Sequence, residues 1–144
     1  MRRVKREDLQ AVVQEALSRV PQLREEAALI ALSGDLGAGK TTFTQALAAE
    51  LGVPETVQSP TYVLMKSYPI SYKGFTRLIH IDAYRFETPR EFAALRPETF
   101  MQDPTALVVV EWPEHMEGAL PAPDVFIKFS SQDAGEGERY IEVA

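Results

Sequence analysis

Three glycines, a lysine and a threonine fall in a fixed order over Gly34-Asp35-Leu36-Gly37-Ala38-Gly39-Lys40-Thr41. They meet every fixed position of G-x-x-x-x-G-K-[ST]. These residue types suit one chemistry. Polyphosphate is densely negative and needs donors without bulk. Gly34, Gly37 and Gly39 let the backbone curl, so that successive N–H groups point inward. A helix starting near Lys40 adds its unpaired N–H groups and partial positive charge. Lys40 has the reach for β- and γ-phosphates. The Thr41 hydroxyl suits one site on Mg²⁺, an ion that usually keeps several waters.

Two acids stand where such a loop needs them. Leu107-Val108-Val109-Val110 runs into Glu111, and Leu78-Ile79-His80-Ile81 runs into Asp82. An apolar run ending in an acid has the shape of a strand with a carboxylate at its C-terminal end, where open α/β sheets place ligands. At that place Glu111 has three open roles: binding Mg²⁺ directly, binding it through water, or orienting an attacking water. His80 reads as a half-buried structural residue. Arg85 has two readings, a reach toward phosphate or a partner, and a surface ion pair with Glu87. Trp112 reads as packing at the strand exit more than as a stacking platform. Val57-Gln58-Ser59-Pro60-Thr61-Tyr62 is an extended turn with two hydroxyls, read either as a γ-phosphate sensor or as a plain connection.

The elements that position these residues follow from periodicity. Ala28 to Leu32 is a short apolar run ending near a glycine, a buried strand. Thr42 to Leu51 has helical spacing through Phe43, Ala46, Leu47 and Leu51, and Gly52 and Pro54 end it. Residues 7 to 20 form an amphipathic helix with Leu9, Val12, Val13, Ala16, Leu17 and Val20 on one stripe, stopped by Pro21. Thr61 to Ile70 and Arg77 to Ala83 are strands of a hairpin turning at Ser71-Tyr72-Lys73-Gly74. Thr88-Pro89-Arg90-Glu91 predicts a capping box opening a short helix. The β-branched run before Glu111 predicts a central strand covered on both faces. Asp124 to Phe129 and Arg139 to Val143 alternate as a terminal hairpin with one wet face. The expected fold class is α/β, in one domain over 1–144.

Composition narrows the classes. The chain has 144 residues, net charge −6, no cysteine and two histidines. That excludes disulfides and thiolate catalysis and argues against zinc. An acidic chain is a poor solo binder of nucleic acid, because phosphate neutralisation supplies most of that affinity. The basic cluster Arg2, Arg3, Lys5, Arg6 reads as a solvated entry to the first helix. No apolar run has membrane-spanning length and no signal core follows the basic start, so a cytoplasmic protein is expected.

GDLGAGKTTF at 34–43, SPTY at 59–62, HIDAYRFE at 80–87 and EWPE at 111–114 together resemble the TsaE family (also called YjeE). The resemblance covers nearly the whole chain and implies a three-layer P-loop fold with a mixed central sheet flanked by helices, in keeping with the hairpins read above. It implies a protein that binds ATP or ADP with Mg²⁺, hydrolyses ATP weakly alone, and acts with TsaD and TsaB. That pair forms threonylcarbamoyladenosine at position 37 of tRNA, so tRNA would be met only through the pair. The implied nucleotide set is Gly34, Asp35, Leu36, Gly37, Ala38, Gly39, Lys40, Thr41 and Thr42. Thr41 and Glu111 are implied Mg²⁺ ligands. Lys40, Asp82, Glu111 and Thr61 are the implied catalytic set, with SPTY and Asp82 as switch and water-positioning region. The family often carries a Thr early in its first helix, where this chain has Glu7-Asp8-Leu9.

Three rival classes share parts of this pattern. A small P-loop kinase acting on a small-molecule hydroxyl needs an Arg-rich lid, and only Lys128 and Arg139 follow Glu111 as candidates. A GTPase needs N-K-x-D, which is missing. A module that binds ATP without turnover shares every binding residue. No arginine finger in cis is evident; Arg85 is the nearest by sequence.

Overall fold

The structure is a computed structural model and describes residues 2–35, 37–54, 65–132, 135 and 137–144. Leu36, the segment 57–62 with Thr61, and the predicted strand start at 61–64 lie outside the described residues.

A mixed seven-stranded sheet forms the centre. Its strands are β1 (Arg2–Lys5), β2 (Ala28–Gly34), β3 (Met65–Tyr72), β4 (Phe75–Asp82), β5 (Ala106–Glu111), β6 (Val125–Ser130) and β7 (Glu138–Val143). They lie in the order β1-β7-β6-β2-β5-β4-β3. The inner four, β6, β2, β5 and β4, are mutually parallel. Antiparallel pairings add β3 to β4, β7 to β6 and β1 to β7. Four parallel strands therefore end on one edge, and the hairpins extend the sheet sideways.

Burial explains the centre. All six residues of β5 are buried, as a strand covered on both faces requires. Leu107 and Val109 point to one apolar cluster, Val108 and Val110 to the other. The first cluster packs α1 (Leu9–Ser18) and α2 (Lys40–Glu50) on the sheet through Val13, Ala16, Phe43 and Leu47. The second face is covered by 3₁₀ segments, Pro89–Leu95, Pro97–Thr99 and Pro113–Met116. Phe92, Phe100 and Met116 seal it. Burying each such side chain contributes about 1.5–3 kcal/mol.

Several local expectations are refined. The basic start is an edge strand: Arg2 to Lys5 pair with Ile141 to Glu138, and only Val4 is buried. Four residues with one inward side chain give no alternation to read; the partner backbone recruits them. The first helix begins with a 3₁₀ turn at Arg6–Asp8. Thr88 makes no side-chain cap, and Glu91 instead accepts from the Glu87 N–H at 2.7 Å. The element it precedes is 3₁₀. The β3–β4 turn is tighter than predicted, with Lys73 and Gly74 alone between the strands. Both have positive φ, 43° and 89°, the geometry that matches the twist of paired strands.

Candidate functional site

The site forms where β2, β4 and β5 end together. Leu32 is paired with Glu111, and Asp82 is paired with Glu111 from the other side. The loop after β2 thus leaves the sheet next to both strand-ending acids. Its backbone curls as the glycines allow: Gly37 has φ 75° and Gly39 φ 111°. A turn closes at Ala38 N–H to Asp35 O, 3.0 Å. Gly39 stands at the N-terminus of α2 and accepts from Phe43 N–H at 2.9 Å.

Gly34 is dictated by close approach. A Cβ there would stand 2.5 Å from the Phe129 carbonyl oxygen and 3.0 Å from the Phe129 Cβ. The start of the loop therefore rests directly on β6. Phe43 of α2 meets the Phe129 ring edge-on, centroids 5.8 Å apart, a contact contributing about 0.5–1.5 kcal/mol beyond area burial.

Lys40 is buried, with 5% of its surface exposed. Its ammonium donates to the carbonyls of Gly34 and, at 2.9 Å, Asp35. It also stands 4.2 Å from the centroid of Trp112. Desolvation holds its pKa below the usual lysine value; Glu111, Glu114, Asp82 and Asp35 oppose that shift without cancelling it. Thr41 Oγ1 donates to Glu111 Oε1 at 3.0 Å. The loop threonine and the strand-ending acid thus meet directly, although 70 residues apart in sequence. Two oxygen donors at this spacing on the cavity wall are of the hard type that Mg²⁺ prefers. Ser33 Oγ, at the end of β2, is 3.2 Å from Glu114 Oε2 and fastens the exit of β5.

Asp82 accepts from the Tyr84 N–H at 3.0 Å and turns the chain away from the sheet. Trp112 takes a left-handed conformation, φ 61°, held by its N–H to Leu32 O at 3.1 Å. Such a conformation is uncommon for a bulky residue. It sets the indole beside Lys40 and against Tyr84, ring centroids 5.0 Å apart.

A cavity of about 470 Å³ opens over these groups. Its polar end has Lys40, Thr41, Thr42, Asp82 and Glu111. Its apolar wall is Val4, Leu9, Phe129 and Ile141, and Lys5, Arg6 and Arg139 contribute cations to the lining. Of the predicted site residues, the structure brings Gly37, Gly39, Lys40, Thr41, Thr42, Asp82 and Glu111 to one cavity, with Gly34, Asp35 and Ala38 in the loop behind it. Leu36 and Thr61 lie outside the described residues.

Two residues were underread in the sequence. His80 is fully buried, not half-buried, and its Nε2 is 2.5 Å from Glu111 Oε2. The alternation of β4 carried that signal, since His80 shares a face with Asp82. Arg139 donates through Nε to Gly37 O at 3.3 Å, so β7 touches the phosphate loop. Its separation from the loop, 102 residues, left no local signal. Arg85 also lines the cavity.

Comparison with known proteins agrees with this geometry. The family model described as "Threonylcarbamoyl adenosine biosynthesis protein TsaE" matches residues 5–141. The TsaE protein of Haemophilus influenzae is 37% identical over 76% of this chain and 66% of its own length. Its counterpart in Treponema pallidum is 35% identical over 87% of both chains. The chain therefore spans just under two thirds of the first relative and most of the second. A crystal structure of YdiB from Bacillus subtilis superposes with TM-score 0.64 at 28% identity, covering 97% of this chain and 80% of that one.

Proposed function

The chain belongs to the TsaE family, and on that premise we propose that it is an ATPase of low intrinsic turnover serving tRNA threonylcarbamoyladenosine formation. In this reading it acts with a TsaD–TsaB pair and meets tRNA only through that pair. The observation that carries the ATPase reading is the Thr41–Glu111 contact, 3.0 Å between a phosphate-loop hydroxyl and a strand-ending carboxylate. It joins the two halves of an NTP site in one place.

The chain's own residues divide the work. Backbone N–H groups of the loop and the α2 N-terminus receive the phosphates. Lys40 leaves the carbonyls of Gly34 and Asp35 for β- and γ-phosphate oxygens. Thr41 and Glu111 are the proposed Mg²⁺ side of the site; when bound, the ion neutralises developing charge on the transferred group. Asp82, paired beside Glu111, and Thr61 are the proposed water-positioning groups. Water attacks the γ-phosphate in line, and catalysis is chiefly positioning and charge stabilisation. The apolar wall of Val4, Leu9, Phe129 and Ile141 suits a purine ring.

The test is phosphate release from ATP, alone and with a matched TsaD–TsaB pair, with Lys40→Ala as control. Slow release that rises with the pair and vanishes in the control supports the reading. ADP formation that yields no free phosphate and needs a small hydroxyl compound overturns it.

A further inference from the structure

His80 lies on β4, the strand next to the β3 edge of the sheet, fully buried and in register with Val109 of β5. Nothing in phosphate chemistry requires an imidazole there. Its paired neighbour Val109, and Leu78 two residues earlier on the same face, are apolar. Its one polar contact among the described residues is Nε2 to Glu111 Oε2 at 2.5 Å. Its other nitrogen, Nδ1, is buried and has no hydrogen-bond partner among the described residues.

Those two facts fix where the proton sits. A carboxylate oxygen accepts, so Nε2 donates. A proton on Nδ1 would be a buried donor with nothing to meet, which costs about 1–3 kcal/mol. The arrangement favours a proton on Nε2 and a bare Nδ1. The second histidine has the opposite pattern: His115 Nδ1 is 2.9 Å from the Ala83 carbonyl, so there Nδ1 donates.

Glu111 is thereby held at both oxygens. Oε2 takes the His80 proton and Oε1 takes the Thr41 hydroxyl, 3.0 Å away. Without His80 the carboxylate has one tether, and rotation of its plane exchanges the two oxygens. We propose that His80 is a positioning residue that, by donating from Nε2, pins one oxygen of Glu111 to the sheet so that the other alone faces Thr41 and the cavity. This rests on the reading of Glu111 as the Mg²⁺-side carboxylate. It predicts that the carboxylate works through one oxygen only, and that the cost of losing His80 falls on the metal-dependent part of nucleotide binding.

Two measurements test it. With only two histidines in the chain, the imidazole ¹⁵N spectrum of the whole protein is simple to assign using His115→Asn. A proton on Nε2 of His80 is expected; an Nε2 without a proton overturns the proposal. The second measurement compares ADP and ATP affinity with Mg²⁺ and with EDTA for wild type, His80→Leu and His80→Gln. Outer groups on metal ligands typically supply about 10–100-fold in metal affinity. The expected result is therefore that His80→Leu keeps its affinity in EDTA to within about twofold and loses roughly tenfold or more of the Mg²⁺-dependent gain. Gln, which carries an N–H at similar reach, should regain most of it. Equal loss in EDTA and in Mg²⁺, or no recovery in a folded Gln variant, means that His80 only fills the core. A wild type whose affinity ignores Mg²⁺ overturns the ATP reading itself, and the ¹⁵N spectrum separates that failure from a missing His80–Glu111 bond.

Discussion

The Lys40 ammonium lies 4.2 Å from the centroid of the Trp112 indole while it donates to the carbonyls of Gly34 and Asp35. A cation over an aromatic face contributes about 0.5–2 kcal/mol, more as water is excluded. The lysine is thus stored against its own loop and must leave these partners to meet phosphate. Trp112 is the single tryptophan of the chain, so its emission reports that departure. A saturable change in Trp emission on adding ADP or ATP is expected, and Trp112→Phe should keep nucleotide binding while losing the signal.

Replacing Lys40 separates stability from activity. Its burial costs free energy, as its lowered pKa indicates. Lys40→Met keeps most of the apolar stem and removes the desolvated charge. The nucleotide-free variant should melt at or above the wild-type temperature. Hydrolysis should fall by at least about 10²-fold, as for loss of one preorganised donor. A large fall in melting temperature would show that the ammonium is a structural clamp.

The same shift makes nucleotide binding depend on pH. The folded nucleotide-free protein binds the Lys40 proton less tightly than the unfolded chain does, because desolvation lowers this pKa from 10.5. Below the lowered value both states are protonated and the full burial cost is present. As pH rises from there toward 10.5, the folded state sheds its proton first, so this contribution to stability improves. Phosphate reverses the preference by favouring the ammonium. ATP affinity should therefore decline as pH rises through the lowered pKa. Calorimetry in two buffers of different ionisation enthalpy should show proton uptake on binding in that range. Lys40→Met should show neither effect.

Gly34→Ala is expected to be among the most damaging single-atom additions. The new Cβ would meet the Phe129 carbonyl oxygen at 2.5 Å, and that oxygen belongs to the backbone of the paired strand, which cannot turn aside. Overpacking of this kind costs typically about 1–3 kcal/mol. Gly37→Ala meets no atom within 4 Å but keeps a positive φ of 75°, so it should cost less. Chemical denaturation of the two variants checks the order.

Away from the site, Asp103 carries an acid-dependent part of the stability. Thr105 donates to its Oδ1 through the hydroxyl at 2.7 Å and the N–H at 2.9 Å, and Arg77 bonds Oδ2 at 2.9 Å. These bonds, Thr105 first, hold its pKa below 3.8. The stabilisation is present above the unfolded value and is lost as pH falls through the folded one. Asp103→Ala should cost about 1–2 kcal/mol at neutral pH. The difference from wild type should shrink in urea melts taken below pH 3.8.

What was legible in the sequence follows the range of the interactions. The phosphate loop, β5 and α2 were readable because glycine conformation, two-sided burial and helical spacing are local. The meeting of Thr41 with Glu111 was inferred from motif order and holds in space. The edge strand Arg2–Lys5 was not readable, because its only inward residue is Val4 and its partner lies at the other end of the chain. Arg139 was hidden for the same reason. His80 was weighed as a residue type, and a histidine in an apolar strand is usually structural; its bond to Glu111 depends on the β4–β5 register. The failed cap at Thr88 shows the converse: the local signal was present, and a 3₁₀ segment formed with a different donor.

The pairing of β1 with β7 has a consequence for the nascent chain. Val4 leaves the ribosome long before Ile141, yet they share a wall of the cavity. Phe129 and Arg139, which support Gly34 and Gly37, also come late. The phosphate loop is therefore synthesised long before the strands that hold its shape. A chain stalled after β5 would have its phosphate-loop residues and both acids but no closed pocket, so ATP cannot act as an early folding template here. Nucleotide should protect only chains released from synthesis, and pulse-labelled truncations ending before residue 125 should show no gain in protease resistance from ATP.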